Sequence, residues 1–168
     1  MIVEMVDRIF DIEAIKQLEL TVPETVYPPR EDTFLLCEAI AELNFDKNTN
    51  ALEIGCGSGI VTIMMSGFGW NVTAYDVNPF AISATSGNLK NLNLDKNACV
   101  IEGGLGEGLE ITKEVDLLVW NIPYLDVEKG TSELSPIEDA AMIDIPHGGW
   151  GKSLATFLTD KSSVISRD

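Results

Sequence analysis

The stretch Ala51-Leu-Glu-Ile-Gly-Cys-Gly-Ser-Gly59 constrains this chain more than any other, because a short apolar run leads straight into three glycines at alternate positions. Glycine at such a junction lets the backbone turn tightly and approach a ligand without Cβ collision. Helical patterning follows at Ile60–Phe68, then a strand at Asn71–Tyr75 and a helix at Pro79–Leu92, where Pro79 suits a first helical turn. Strands at Ala98–Ile101 and Val115–Trp120 complete the alternation. This βαβα order implies right-handed crossovers and a mostly parallel sheet with helices on both faces. In open sheets of that kind ligands sit beyond the carboxyl ends of the strands, where the strand order reverses. Gly55, Gly57 and Gly59 stand at such an end.

The flanks are less regular. Ile9, Ile12 and Ile15 give a weak amphipathic helix over Val6 to Leu18, and Pro23, Pro28 and Pro29 make Thr21 to Arg30 extended. Asp32 or Thr33 can cap a helix running to about Leu43. Asp126 to Pro136 reads as a loop; Gly148-Gly-Trp-Gly151 then precedes a helix near Lys152–Leu158, with a short strand at Ser163–Ile165. At 168 residues the chain suits one domain, residues 1–45 forming an N-terminal extension and 46–168 a Rossmann-like core. Doubly wound domains of this type usually finish with an antiparallel strand pair, for which no residues remain. The fifth strand is then a bare edge that Arg167 and Asp168 can blunt, or the chain is a naturally short member of its type or a fragment.

With 11 Lys and Arg against 27 Asp and Glu, the chain carries a formal charge of −16. Such a chain repels a phosphate backbone, which argues against direct nucleic-acid binding. It leaves a basic protein partner, a further subunit that holds nucleic acid, or simple solubility as readings of the charge. No apolar run reaches the roughly 20 residues a membrane helix needs. Glu4 and Asp7 do not suit a signal peptide, so a cytoplasmic location is expected. Cys37, Cys56 and Cys99 suggest neither a disulfide framework nor a metal site; Cys37 and Cys99 read as small buried residues. His147, the only histidine, reads as a loop residue, and Trp70 and Trp150 as packing or surface aromatics.

A dinucleotide fingerprint needs glycine where this chain has Ile60, so the loop favours a cofactor without a pyrophosphate. Asp76, nineteen positions after Gly57, can accept both hydroxyls of a ribose; the plainer reading is an acid at a helix N-terminus. The fourth strand closes on Asn121-Ile-Pro-Tyr124. An amide nitrogen is a poor nucleophile, and methylating it requires both hydrogens held by acceptors and the nitrogen aimed at the methyl carbon. The Asn121 oxygen can take one hydrogen and the Ile122 carbonyl the other. Pro123 fixes the backbone and Tyr124 offers a flat face. Trp120, next to Asn121, is a candidate substrate contact.

The chain resembles the HemK-like protein glutamine N5-methyltransferases, in particular their archaeal and eukaryotic release-factor branch. The resemblance rests on Val26-Tyr-Pro-Pro-Arg-Glu-Asp-Thr-Phe-Leu-Leu36, Leu52-Glu-Ile-Gly-Cys-Gly-Ser-Gly59, Asp76-Val-Asn-Pro79 and Val115-Asp-Leu-Leu-Val-Trp-Asn-Ile-Pro-Tyr124, with a looser match at Ile137-Glu-Asp-Ala140 and Gly148-Gly149. It implies a Rossmann-like class I methyltransferase fold, S-adenosylmethionine as donor, and the glutamine of a class-1 release factor's Gly-Gly-Gln loop as acceptor. Tyr27, Thr33, Glu53, Gly55, Gly57, Asp76, Gly104, Leu105 and Asn121 would line the cofactor, and Asn121 would hold the acceptor amide. A small zinc-binding activator would dock near Ala98–Ile101, making a heterodimer.

Two positions depart from the family pattern. Ile122 replaces a proline, and Gly104 replaces an Asp that contacts the adenine amino group. In the second case either Glu102 reaches in its place or affinity falls about tenfold, the worth of one modest hydrogen bond. The rival readings are an adenine-N6 methyltransferase on nucleic acid, a protein lysine methyltransferase, and a non-catalytic subunit that retains the fold. Glu128, Glu133, Glu138 and Asp139 are either a solvated face or a contact for a basic protein.

Overall fold

The computed structural model describes residues 12–106, 108–111, 113–123 and 149–160. Four parallel strands form its sheet: β1 (Asn50–Ile54), β2 (Asn71–Asp76), β3 (Ala98–Glu102) and β4 (Leu117–Trp120). Their order is β3-β2-β1-β4. The chain thus steps outward from β1 to β3 and then crosses back to place β4 on the other side of β1. Ile54 pairs with Trp120 across that reversal, so Gly55 and Asn121 leave neighbouring strands at the same end. The expected strands are present within two residues at each end.

Five helices surround the sheet among the described residues: α1 (Ile12–Lys16), α2 (Glu31–Ala41), α3 (Ile60–Gly67), α4 (Pro79–Asn91) and α5 (Gly149–Asp160). Alternating strand residues divide between two cores. Ala51, Val72, Leu117 and Val119 face a cluster with Ile15, Cys37, Ile40, Ile63, Met64 and Leu89. Leu52, Ile54, Tyr75 and Val115 face the opposite side, where Leu154 and Phe157 of α5 pack. Helix α3 is buried over its whole length, which explains its unbroken apolar and small composition. The N-terminal helices share the first core rather than forming an appendage.

Several expectations are corrected. Helix α2 begins at Glu31 with Arg30 as its cap residue, so Asp32 and Thr33 lie inside the first turn. From there Thr33 Oγ1 accepts from Arg30 N at 3.4 Å, and Asp32 Oδ1 accepts from Thr33 N at 2.8 Å. Helix α5 extends beyond Lys152–Leu158 at both ends and absorbs Trp150 and Gly151. Cys99 is exposed, because β3 is the sheet edge and no described element covers its side chain. The expected helix from Val6 is described only from Ile12, and the expected strand Ser163–Ile165 lies outside the described residues, as does the question of a terminal strand pair. No described helix is long and apolar enough to cross a membrane.

Candidate active site

The loop after β1 is built by its neighbours. Gly55 N and Cys56 N both donate to the Tyr75 carbonyl at 2.8 and 3.0 Å, folding the loop over the end of β2. Thr85 Oγ1 of α4 donates to the Gly57 carbonyl at 3.0 Å, and Asn88 Nδ2 donates to the Ser58 carbonyl at 2.9 Å. Gly59 has a positive φ of 88°, and a Cβ there would lie 2.8 Å from the Thr85 side chain and 3.0 Å from its Cα. Glycine is required at that point for conformation and space together.

Asp76 ends β2 with both carboxylate oxygens engaged. Oδ2 accepts from Gly57 N and Oδ1 from Asn78 N, each at 2.9 Å. The cap of α4 is Asn78, which accepts from Phe80 N at 3.0 Å, and Asp76 stands two residues before it. Asn78 Nδ2 also donates to the Thr25 carbonyl at 2.7 Å, tying the proline-rich segment to this end of the sheet. In that segment the Arg30 guanidinium lies 5.3 Å from the Tyr27 ring centre, a cation–π contact that steadies Tyr27.

These residues enclose a cleft of 540 Å³, within the size of small-molecule sites. Tyr27, Thr33, Glu53, Gly55, Gly57, Asp76, Gly104, Leu105, Asn121 and Pro123 all line it, so the sequence-nominated groups from five separate stretches converge. Ile122 is half-buried and lies outside the lining residues, and Tyr124 lies outside the described residues. Glu102 is exposed and does not reach the cleft. A Cβ on Gly104 would lie 2.8 Å from Val77 Cγ1, so a larger residue there requires the exposed Val77 side chain to turn away.

Sequence reasoning missed part of the wall. Trp150, read from the sequence as a packing or surface aromatic, lines the cleft and packs edge-on against Trp120 with centroids 5.7 Å apart. Nothing local in the sequence joins those two tryptophans; only the packing of α5 does. Val77, Asn78 and Ser58 also line the cleft, and the capping pattern Asn78-Pro79 was the available signal for Asn78.

The electrostatics are one-sided. Glu53 and Asp76 line the cleft, and among the described residues no Lys, Arg or His does. Burial pushes the Glu53 carboxyl up to about 8, opposed by a hydrogen bond donated by Thr62 and reinforced by the Asp76 charge. Such a cleft favours a cationic ligand over a pyrophosphate. Burial also pushes the Cys56 thiol well above its ordinary value, so it is not a thiolate nucleophile.

At the mouth, Asn121 Nδ2 donates to Asp32 Oδ2 at 3.0 Å, joining the end of β4 to the first turn of α2 across 89 residues of sequence. Among the described residues no cluster of His, Cys, Asp and Glu could hold a metal ion.

The chain is also similar to known proteins in sequence and in fold. Residues 31–125 match the family described as ribosomal protein L11 methyltransferase (PrmA). The chain is 34% identical to a Methanocaldococcus jannaschii protein named "Putative protein N5-glutamine methyltransferase", over 95% of this chain and 85% of the relative. It is 30% identical to the eRF1 methyltransferase catalytic subunit mtq2 of Schizosaccharomyces pombe, over 90% of this chain and 73% of the relative. Among solved structures, ribosomal protein L11 methylase from Lactobacillus delbrueckii subsp. bulgaricus superposes with a TM-score of 0.58 at 19% identity, covering 87% of this chain and 60% of that one, a likeness of fold.

Proposed function

The chain belongs to the HemK-like, S-adenosylmethionine-dependent protein glutamine N5-methyltransferases, and from that premise we propose that it methylates the glutamine of a class-1 release factor's Gly-Gly-Gln loop. The observation that carries the reading is the cleft itself: an acidic, phosphate-averse pocket whose rim bears Asn121 and Pro123. The S. pombe relative is named for its action on eRF1, which supports a release factor as the protein substrate.

S-adenosylmethionine, when bound, supplies a methyl group on a positively charged sulfur. The residues present fit it. The Asp76 carboxylate suits its ribose, and Glu53, which burial keeps protonated up to about pH 8, can ionise beside its positive charge. Gly55 and Gly57, both with positive φ, bring backbone close to it. Tyr27 and Thr33 bound the same cavity from the N-terminal side, and Gly104 and Leu105 from the β3 side. Gly104 has no side-chain acceptor for the adenine amino group, and Val77 lines the cleft beside it. Asn121 Oδ1 would take one hydrogen of the substrate amide. The carbonyl of Ile122, which borders the lining residues Asn121 and Pro123, would take the other, with Pro123 restricting that backbone. Tyr124 would offer the amide a flat face, the role its place in the sequence motif suggests. Trp120 and Trp150 exclude water beside them. Holding the nitrogen in line at roughly 3 Å supplies several kcal/mol by orientation alone.

The proposed unit is one domain over residues 1–168, acting in the cytoplasm. The S. pombe relative's description as a catalytic subunit supports a second subunit here. A small zinc-binding activator is assigned to the exposed β3 edge near Ala98–Ile101, where Cys99 faces outward.

The test is labelled methyl transfer to an archaeal or eukaryotic class-1 release factor and to its Gly-Gly-Gln glutamine variant, with and without a zinc-binding partner. Label on the first substrate alone is expected, with Asn121→Ala losing turnover by roughly 100-fold or more while cofactor affinity holds. Equal labelling of both substrates, or transfer to lysine or nucleic acid instead, would refute it.

A further inference from the structure

Asn121 is useful to an acceptor amide only if its oxygen, not its nitrogen, faces the cleft. A side-chain amide presents nearly the same shape either way round, so something must distinguish its two ends. Asp32 does so. A carboxylate accepts hydrogen bonds and cannot donate them, so the Asn121 end beside Asp32 Oδ2, 3.0 Å away, has to be the NH2 group. Asp32 is itself held: its other oxygen accepts from Thr33 N at 2.8 Å and from Thr33 Oγ1 at 3.3 Å. That oxygen is anchored to the first turn of α2, and α2 is anchored to the core through Cys37 and Ile40. Asp32 does not line the cleft, whereas Asn121 and Thr33 do. It therefore reaches the cleft through two neighbours, Thr33 on one oxygen and Asn121 on the other, and only the second contact orients the amide.

We propose that Asp32 is a positioning residue that locks the Asn121 side chain with its carbonyl oxygen toward the cleft, setting the polarity of the amide clamp. The consequence for activity rests on the glutamine-methyltransferase reading; the lock itself does not. Asp32→Asn is nearly isosteric but reverses the logic. The introduced amide satisfies Thr33 with its oxygen and offers its NH2 to Asn121, which turns over and presents NH2 to the cleft.

The lock is tested first without any acceptor, by exchange of the Asn121 side-chain amide hydrogens in nitrogen-edited NMR spectra of the intact chain. Slow exchange in the parent and exchange at least about tenfold faster in Asp32→Ala are expected; equal exchange in the two overturns the lock. With the release factor as acceptor and labelled S-adenosylmethionine, Asp32→Asn and Asp32→Ala are each expected to lower kcat by roughly 10- to 100-fold, the cost of a misplaced reacting group. The cofactor Kd should stay within about twofold in Asp32→Asn, which keeps an oxygen for Thr33 and lies outside the cleft lining. The exchanged pair Asp32→Asn with Asn121→Asp restores donor against acceptor and should recover kcat at least about fivefold over Asp32→Asn alone. Asp32→Asn with parental kcat, kcat and cofactor affinity falling in parallel, or no recovery in a pair that melts as the parent does, overturns the proposal. Absence of transfer by the parent chain counts against the glutamine reading alone, because the exchange experiment still decides the lock.

Discussion

At the scale of single residues, the cleft runs on two carboxylates in unlike surroundings. Asp76 has both oxygens on backbone N–H groups, whereas Glu53 is buried with one hydroxyl partner, and burial lifts its carboxyl from 4.5 to about 8. Between those values the folded chain keeps a proton that the unfolded chain has released. Stability from this group is therefore greatest below the lower value and falls as pH climbs to the upper one. Glu53→Gln removes that titration while keeping an acceptor for Thr62, so its melting temperature should vary less over that interval than the parent's. Matching pH profiles would clear Glu53 of the effect. A cationic ligand favours the ionised form, so S-adenosylmethionine affinity should rise between about pH 6 and 8 in the parent and stay flat in Glu53→Gln, as read by calorimetry.

At the scale of elements, α4 organises the cleft from behind. Buried Asn88 accepts from Thr21 N at 2.9 Å and donates to the Thr21 and Ser58 carbonyls at 3.0 and 2.9 Å. One side chain thereby fastens the extended N-terminal segment and the glycine loop to the same helix. Asn88→Ala leaves three backbone groups short of partners, which should cost about 2–4 kcal/mol in denaturant unfolding. Cofactor affinity should weaken in the same variant, because both fastened segments form cleft walls; a change in stability without a change in affinity would separate the two. The sequence showed α3, α4 and the strands clearly through periodicity, and Pro79 marked the start of α4 correctly. It gave no sign of what Asn88 does, since a polar residue on a helix usually faces water. The start of α2 was misplaced for a related reason: Thr33 reaches back to Arg30 from within the first turn instead of capping it from outside.

At the scale of the whole molecule, a charge of −16 sets how a partner arrives. If the substrate is a basic release factor, kcat/KM should fall several-fold as salt rises from about 50 to 300 mM, with kcat at saturation unchanged, because screening slows encounter and not chemistry. A flat salt profile would remove charge steering from the account. The sequence by itself determined the alternation of strands and helices, the glycine loop and the Asn-Ile-Pro motif, because period, turn chemistry and backbone freedom are local properties. Its residues also identified most of one wall of the cleft in advance. Tertiary structure alone decided that Trp150 meets Trp120, that Val77 takes the space beside Gly104, and that Asp32 holds Asn121. Those contacts join residues 30, 27 and 89 positions apart. No local pattern encodes them, since they exist only where the order β3-β2-β1-β4 brings distant strand ends to one side of the sheet.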